Sequence, residues 1–188
     1  SERKNTKFHG QLGLMRLAIE SNNHDEALNR ARIASNIQPR NPKLNSMLVM
    51  MKAKHKNYEK SIEALHHARW IGSIEETRAQ QLAASLYTKI GLKKLEENEL
   101  NEAEKSLSLA LREKTDFIPA VIALSKIFIG KENQRKALSL LSKTWKVQPH
   151  PEIAKTLKLI WKNERSSSNI ANLINLTDDN AKAQARYI

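Results

Sequence analysis

The sequence predicts an all-α fold in which antiparallel helix pairs stack into a solenoid. The 188 residues include only five glycines and five prolines, and aromatic residues make up 5%, so turns and strand-forming clusters are few. Small side chains also recur along the chain, and two of their three intervals match a helix-pair repeat of about 34 residues. They are Ala27, Ser61, Ala103 and Ala137. The intervals predict one helix pair per repeat, with an eight-residue insertion in the third.

The residues around each small side chain predict the second helix of a pair. Four positions earlier stand the residues expected to cap the helix, which are Asn23, Asn57, Asn133 and, less suited, Glu99. Core positions follow at four and seven residues, on one helix face: Ala31 and Ala34, Leu65 and Ala68, Leu107 and Ala110, Leu141 and Thr144. Pro39 and Pro149 predict where two of these helices stop, and Pro42, Pro119 and Pro151 predict where following helices begin.

The first helix of each pair supplies the remaining core positions. They are clearest in the last two repeats, as Tyr87, Ile90 and Gly91, and as Val121, Leu124, Ser125 and Phe128. Over residues 8–150 this pattern resembles the tetratricopeptide repeat (TPR) family. The resemblance implies a right-handed superhelix of four helix pairs, at residues 8–40, 42–73, 74–115 and 117–149. Residues 1–7 are expected to be a disordered or artificial lead.

The insertion lengthens the first helix of the third repeat. Ser73 and Glu76 have the spacing of a capping box, so we expect this pair to cap the longer helix.

Residues 151–188 are predicted to hold C-terminal helices. An amphipathic helix is expected at 151–165, and Ser166-Ser-Ser168 is expected to break it. A short apolar helix at 169–176 and the opening of a truncated further repeat at 178–188 complete the prediction.

A narrower resemblance rests on the turn that ends the fourth repeat. There Trp145 is followed by three residues and then by Pro149-His150-Pro151, before an acidic-apolar-Ala helix start. With the elongated helix and Phe117-Ile-Pro119-Ala, this looks like the C-terminal repeat region of the HemY-type family. The resemblance implies an association with haem or porphyrin biosynthesis, repeats on the cytoplasmic face of the bacterial inner membrane, and an N-terminal anchor outside these residues. The 188 residues themselves are expected to be soluble, with a mean hydropathy of -0.59.

The sequence contains no pattern that predicts an enzyme. It has no Gly-rich phosphate loop, no nucleophile elbow and no zinc motif, and the lack of cysteine excludes disulfides and thiolate metal sites. Neither a metal nor a cofactor is therefore predicted. His150 is a candidate axial haem ligand, which would make the chain a direct haem or porphyrin carrier. We favour the alternative that Pro-His-Pro only ends one helix and begins the next.

The net charge of +12 suits an acidic partner, an anionic lipid or a nucleic acid. Nucleic-acid binding is the weakest of these alternatives, because the basic residues are spread along the chain without an aromatic platform. They also fit the alternative of ordinary solvated helix faces.

The function that remains is protein binding. In the TPR family the first helices line a concave groove, and its register points to one set of partner-binding residues here: Arg16, Glu20, Met47, Met50, Lys54, Thr88, Lys89, Ile122 and Lys126. The same register also turns His9, Lys43, Leu92 and Ile129 inward. Cations interleaved with Met and Ile predict a partner segment that is acidic or amphipathic. The alternative is that these are generic solvated positions.

Overall fold

The computed structural model describes residues 2–54 and 56–161, and this part of the chain contains nine helices and no strand. The helices are α1 (Glu2–Glu20), α2 (His24–Ile37), α3 (Pro42–Lys54), α4 (Tyr58–Trp70), α5 (Glu76–Glu96), α6 (Leu100–Glu113), α7 (Ile118–Gly130), α8 (Gln134–Val147) and α9 (Pro151–Ile160). The predicted all-α fold is confirmed. No helix among these residues is long and apolar enough to cross a bilayer.

The chain forms two compact units, Ser1–Leu86 and Tyr87–Ile188. In the first unit, α1 packs on α2, α2 on α3, and α3 on α4. In the second unit, α6 packs on α7, and α7, α8 and α9 pack on one another. Helix α5 begins in the first unit and ends in the second.

The four small residues of the repeat are all fully buried, at 0% exposure. The core positions four and seven residues later are buried as well, with Thr144 the most exposed at 3%. Because a helix face repeats every 3.6 residues, burial at all twelve positions fixes the side that each second helix turns to its neighbours. The register predicted from the small side chains is confirmed.

A left-handed residue precedes every second helix, five positions before the small residue. These residues are Asn22, Lys56, Asn98 and Glu132, with φ between 55° and 61°. The next residue closes the turn: the N–H of Asn133 donates to the carbonyl of Phe128 at 2.8 Å, six residues around as in a Schellman motif. Its side chain then accepts from the N–H of Lys136 at 3.2 Å, so one turn ends α7 and caps α8.

Residues 1–7 were expected to be a disordered or artificial lead, but residues 2–7 are ordered as the first turns of α1. Thr6 Oγ1 donates to the carbonyl of Glu2 at 3.0 Å within this helix. Gln38 Nε2 donates to Asn5 Oδ1 at 3.2 Å and links the early part of α1 to the end of α2.

The predicted capping box of Ser73 and Glu76 is also wrong. Ser73 is buried, and its hydroxyl donates to the carbonyl of Ala68 at 3.0 Å and accepts from Asn45 Nδ2 at 2.9 Å. The Glu76 carboxylate pairs with Arg69. Both side chains therefore tie the end of α4 to its surroundings, and α5 begins only at Glu76.

Helix α9 packs against α7 and α8. Ile153 and Leu157 are fully buried in a cluster with Val121 of α7 and with Leu141 and Trp145 of α8. The predicted break at 166–168, the helix at 169–176 and the further repeat at 178–188 lie outside the described residues.

Candidate partner-binding cleft

An apolar cleft opens in the second unit between the end of α5 and α7. Its volume is about 440 Å³, within the range of roughly 300–1,000 Å³ that is typical of small-ligand sites. The lining residues are Leu92, Leu95, Leu100, Pro119, Ile122, Ala123, Lys126, Ile127, Gly130 and Lys131. All but two of them are uncharged, so the cleft offers mainly apolar surface.

The floor of this cleft is part of the protein core. Ala123 and Ile127 are buried and belong to the cluster that contains Leu107 and Ala110 of α6. The rim is formed by side chains that are open to solvent, with Leu92 at 42% exposure and Leu100 at 49%. An apolar side chain of a partner that enters the cleft would therefore contact buried core residues at the floor and two exposed leucines at the rim.

Two lysines give the cleft its charge. Lys131 Nζ is held by Glu104 Oε2 at 2.7 Å and by Asn101 Oδ1 at 3.2 Å. Lys126 makes no ion pair within the described part of the chain, and its side chain is exposed. Lys126 is therefore the cation that the cleft presents to an incoming group.

The acidic cluster next to the cleft has a structural role. Lys94 Nζ contacts Glu99 Oε2 at 2.9 Å and Glu97 Oε2 at 3.0 Å. The pKa of Lys94 is raised chiefly by its hydrogen bond to Glu99 and next by its hydrogen bond to Glu97. The hydrogen bond from Lys94 in turn lowers the pKa of Glu97. These carboxylates neutralise a cation of their own helix pair at the turn from α5 to α6.

The structure brings three groove residues of the second unit together in the cleft, namely Leu92, Ile122 and Lys126. Lys89 is exposed on α5 but does not line the cleft. Thr88 is only 2% exposed, so a partner cannot reach it. The prediction placed Thr88 on the groove surface, but Thr88 is buried because this side of α5 faces the protein interior.

In the first unit the predicted residues differ in accessibility. Met50 is 56% exposed and Lys54 is exposed too, whereas Met47 packs against the buried cluster of α1, α2 and α3. Arg16 Nε lies 3.0 Å from Glu20 Oε1, so the charge of Arg16 is already paired on its own helix. Among the predicted groove cations, Arg16 therefore has an exposed carboxylate beside it.

Sequence reasoning missed several lining residues, among them Leu95 and Ile127. Leu95 follows Leu92 by three positions, a spacing that places both on one helix side. That spacing was the available signal, but Leu95 could equally have been a core residue.

His150 caps α9. Its Nδ1 accepts a hydrogen bond from the N–H of Glu152 at 3.2 Å, and Pro151 occupies the first position of the helix. Among the described residues, no group of three or more His, Asp or Glu side chains is placed to hold a metal ion.

Solved structures with a similar fold are TPR proteins. The crystal structure of the MamA protein matches with a TM-score of 0.54 and 14% identity, covering 96% of this chain and 96% of that chain. A tetratricopeptide repeat protein from Parabacteroides merdae matches with a TM-score of 0.56 and 15% identity, covering 97% and 73%. The chain has the TPR fold.

No family model matches this chain, and no curated protein matches it. The structural likeness therefore shows the fold alone. The HemY-type resemblance gains no support from the comparisons, and it stays a prediction, as do the inner-membrane location and the haem association.

Proposed function

We propose that this TPR chain is a protein-binding scaffold that holds a partner segment in the cleft between α5 and α7. The observation that carries the proposal is the open apolar cleft itself, with Leu92 on its rim and a buried floor. Burying an apolar side chain of Leu or Phe size contributes about 1.5–3 kcal/mol. One such anchor, with flanking contacts along α7, is a reasonable basis for recognition.

Lys126 defines the second feature of the partner. A cation beside an apolar cleft favours a segment that carries a carboxylate next to its apolar anchor. An exposed ion pair contributes only about 0–1 kcal/mol, so Lys126 would set orientation and selectivity more than affinity. The net charge of +12 supports an acidic partner at longer range.

The HemY-type resemblance would make this chain the cytoplasmic repeat region of a membrane-anchored scaffold, and its partners enzymes of haem or porphyrin biosynthesis. That narrower proposal rests on the Pro149-His150-Pro151 turn and not on the cleft. It is tested by the identity of the partner.

A photo-reactive amino acid placed at Ile122 in the protein in cells would crosslink a segment bound in the cleft. The crosslinked partner is then purified, and its affinity for the wild-type chain is compared with that for Leu92→Glu and Lys126→Glu. We expect Leu92→Glu to weaken binding at least tenfold, because a carboxylate on the rim meets the apolar anchor. Lys126→Glu should weaken an acidic partner by a smaller factor.

Val147→Glu is the matched control, because Val147 is 70% exposed on α8 and does not line the cleft. It should bind the partner as the wild type does, and all three variants should keep the wild-type melting temperature. Equal affinity of Leu92→Glu and the wild type for the purified partner would overturn the proposal.

A further inference from the structure

Lys52 of α3 occupies a position that is apolar in two other repeats. The repeat register makes Lys52 equivalent to Ala18, which is buried, and to Phe128, which packs against the core of the second unit. Lys52 is likewise half-buried. An ammonium group in such a position loses part of its hydration, so it needs a counter-charge.

In the third repeat the equivalent cation, Lys94, has carboxylate partners. Its Nζ lies 2.9 Å from Glu99 Oε2 and 3.0 Å from Glu97 Oε2. The sequence of the second repeat has no acid at these two positions, which hold Asn57 and a histidine. Within the described part of the chain, Lys52 forms no ion pair. The counter-charge that Lys94 finds in its own repeat is therefore missing at Lys52.

The start of the second helix brings another cation to Lys52. In the fourth repeat Lys136 Nζ lies 5.7 Å from the centre of the Phe128 ring, so the third residue of a second helix reaches this position of the first helix. The third residue of α4 is Lys60, and the register makes it equivalent to Lys136. The second repeat therefore places a lysine where Lys52 needs an acid.

Arg32 adds a third cation from α2, which packs on α3. The pKa of Lys52 is lowered chiefly by burial and next by the charge of Arg32. The charge of Lys60 lowers this pKa further, whereas the charge of Glu63 raises it. We name these four residues, Arg32, Lys52, Lys60 and Glu63, the Lys52 cluster. Its three cations and one carboxylate leave two positive charges unbalanced, and every member except Lys52 is exposed to solvent.

We infer that the Lys52 cluster binds a dianionic phosphate group, either as the free ion or as a phosphate monoester of a small molecule. A phosphate monoester carries about −1.5 to −2 charges at pH 7, which balances the two excess positive charges of the cluster. Its oxygens can accept hydrogen bonds from a guanidinium and two ammonium groups at the same time. A single carboxylate brings one charge, so it would leave the cluster positively charged.

The fold does not require a lysine at position 52. Ala18 and Phe128 show that an apolar side chain fits the equivalent position, whereas cations that converge on a half-buried ammonium repel one another. A charged group whose pKa is shifted by burial and by like charges is a recognised mark of a binding site. All four residues of the Lys52 cluster belong to the first unit, whereas the α5–α7 cleft belongs to the second.

The test is isothermal titration calorimetry of the full 188-residue chain with phenyl phosphate. The titration is done at about pH 7.5, where the phosphate is dianionic, and at an ionic strength of about 0.15 M, which screens distant surface charges. We expect saturable binding of one phosphate per chain. Lys52→Met and Arg32→Gln should each weaken it at least tenfold, and Glu63→Gln should tighten it, because Gln does not repel the anion.

Inorganic phosphate and benzoate are titrated in the same way. Inorganic phosphate separates the two sources of the group, since tighter binding of phenyl phosphate assigns the site to a monoester and equal binding assigns it to the free ion. Benzoate has the same ring with a single negative charge, so it should bind at least tenfold more weakly than phenyl phosphate.

Lys7→Met is the matched control, because Lys7 is exposed on α1 in the same unit and its charge is not among those that act on Lys52. It should bind phenyl phosphate as the wild type does, and Lys52→Met should melt at the wild-type temperature or above it. Three results would overturn the inference. They are no saturable binding, equal weakening by Lys7→Met and Lys52→Met, which would reveal attraction to the net charge alone, and benzoate binding as tight as that of phenyl phosphate. A lower melting temperature of Lys52→Met together with unchanged phosphate binding would assign Lys52 a structural role instead.

Discussion

Gly91 of α5 lies so close to Leu107 of α6 that no side chain fits between them. A Cβ built on Gly91 would come within 2.7 Å of Leu107 Cγ and within 3.3 Å of the carbonyl oxygen of Ala103. Gly91→Ala should therefore lower the free energy of unfolding by about 1–2 kcal/mol, because the steric cost of overpacking exceeds the higher helix propensity of Ala. Urea denaturation measures the change.

Gly13→Ala is the matched control for Gly91→Ala. Gly13 lies in the middle of α1, and an added Cβ would meet nothing within 4 Å. The same substitution should here raise the free energy of unfolding by up to about 1 kcal/mol, since Ala loses less backbone entropy in a helix. If both variants shift the free energy of unfolding in the same direction, the proposed role of Gly91 in the close contact with Leu107 is wrong.

Glu132 holds a left-handed conformation, with φ of 58°, at the turn between α7 and α8. A residue with a Cβ loses roughly 1–2 kcal/mol in this region, whereas Gly does not. Glu132→Gly should raise the free energy of unfolding by about 0.5–1 kcal/mol. It removes the strain of the left-handed conformation, and the greater freedom of Gly in the unfolded chain offsets part of that gain. Asn98→Gly, at the equivalent turn, should change stability less, since Asn tolerates φ of 61° better than Glu does. Urea denaturation of both variants checks the order, and an equal gain at the two turns would contradict it.

The core register could be predicted from sequence, whereas the turns could be predicted only in part. Ala27, Ala103 and Ala137 mark a helix face because size and 3.6-residue spacing are local properties of the chain. The sequence did not indicate that Lys56 and Glu132 are left-handed, because neither side chain favours that conformation. Their φ values are imposed by the packing of the two helices that each turn joins.

The errors at Ser73 and Thr88 have a tertiary origin. The Ser73 spacing fitted a capping box, but the buried amide of Asn45 and the carbonyl of Ala68 take up its hydroxyl. Thr88 occupies a groove register on α5, yet it is buried, while Ile122, at the equivalent position of α7, lines the cleft. Which of two equivalent positions faces solvent depends on the neighbouring helices, and a single sequence does not encode that locally.

Ser125 Oγ is fully buried, and no hydrogen-bond partner for it is present among the described residues. A buried hydroxyl without a partner costs about 1–3 kcal/mol in lost hydration. Ser125→Ala keeps the Cβ and removes that hydroxyl, so the free energy of unfolding should rise by about 1 kcal/mol. Thr144→Val makes the comparison, because Thr144 Oγ1 donates to the carbonyl of Leu140 at 3.0 Å and its removal loses a bond that is made. Equal responses of the two variants in urea denaturation would contradict this reading of Ser125.

The hydrogen bond from Lys94 lowers the pKa of the Glu97 carboxyl below its ordinary value of 4.5. A carboxyl whose pKa is lower in the folded state stabilises that state above pH 4.5, and this contribution is lost as the pH falls through the lowered pKa. NMR titration of the Glu97 side chain should give a midpoint below 4.5, and Lys94→Met should move it up. The Glu152 carboxyl, whose pKa is lowered chiefly by the hydrogen bond from Lys155, should keep its midpoint in the same variant. If Lys94→Met leaves the Glu97 midpoint unchanged, the Lys94–Glu97 ion pair does not persist in solution.

The substitution His150→Asn separates a structural role of His150 from haem ligation, because Asn can cap a helix but cannot bind haem iron as an axial imidazole does. As the N-cap of α9, His150 accepts a hydrogen bond from the N–H of Glu152 through Nδ1 at 3.2 Å. His150→Ala removes this acceptor and should lower the free energy of unfolding by about 1 kcal/mol, whereas His150→Asn supplies a favoured capping side chain and should restore most of the loss. Asn cannot serve as an axial imidazole ligand, so a haem site would be lost in both variants. We therefore expect the absorbance of added haem to be the same for the wild type and His150→Asn, with stability separating Ala from Asn. A Soret shift that is present in the wild type and absent from His150→Asn would instead make His150 a ligand and the chain a haem carrier.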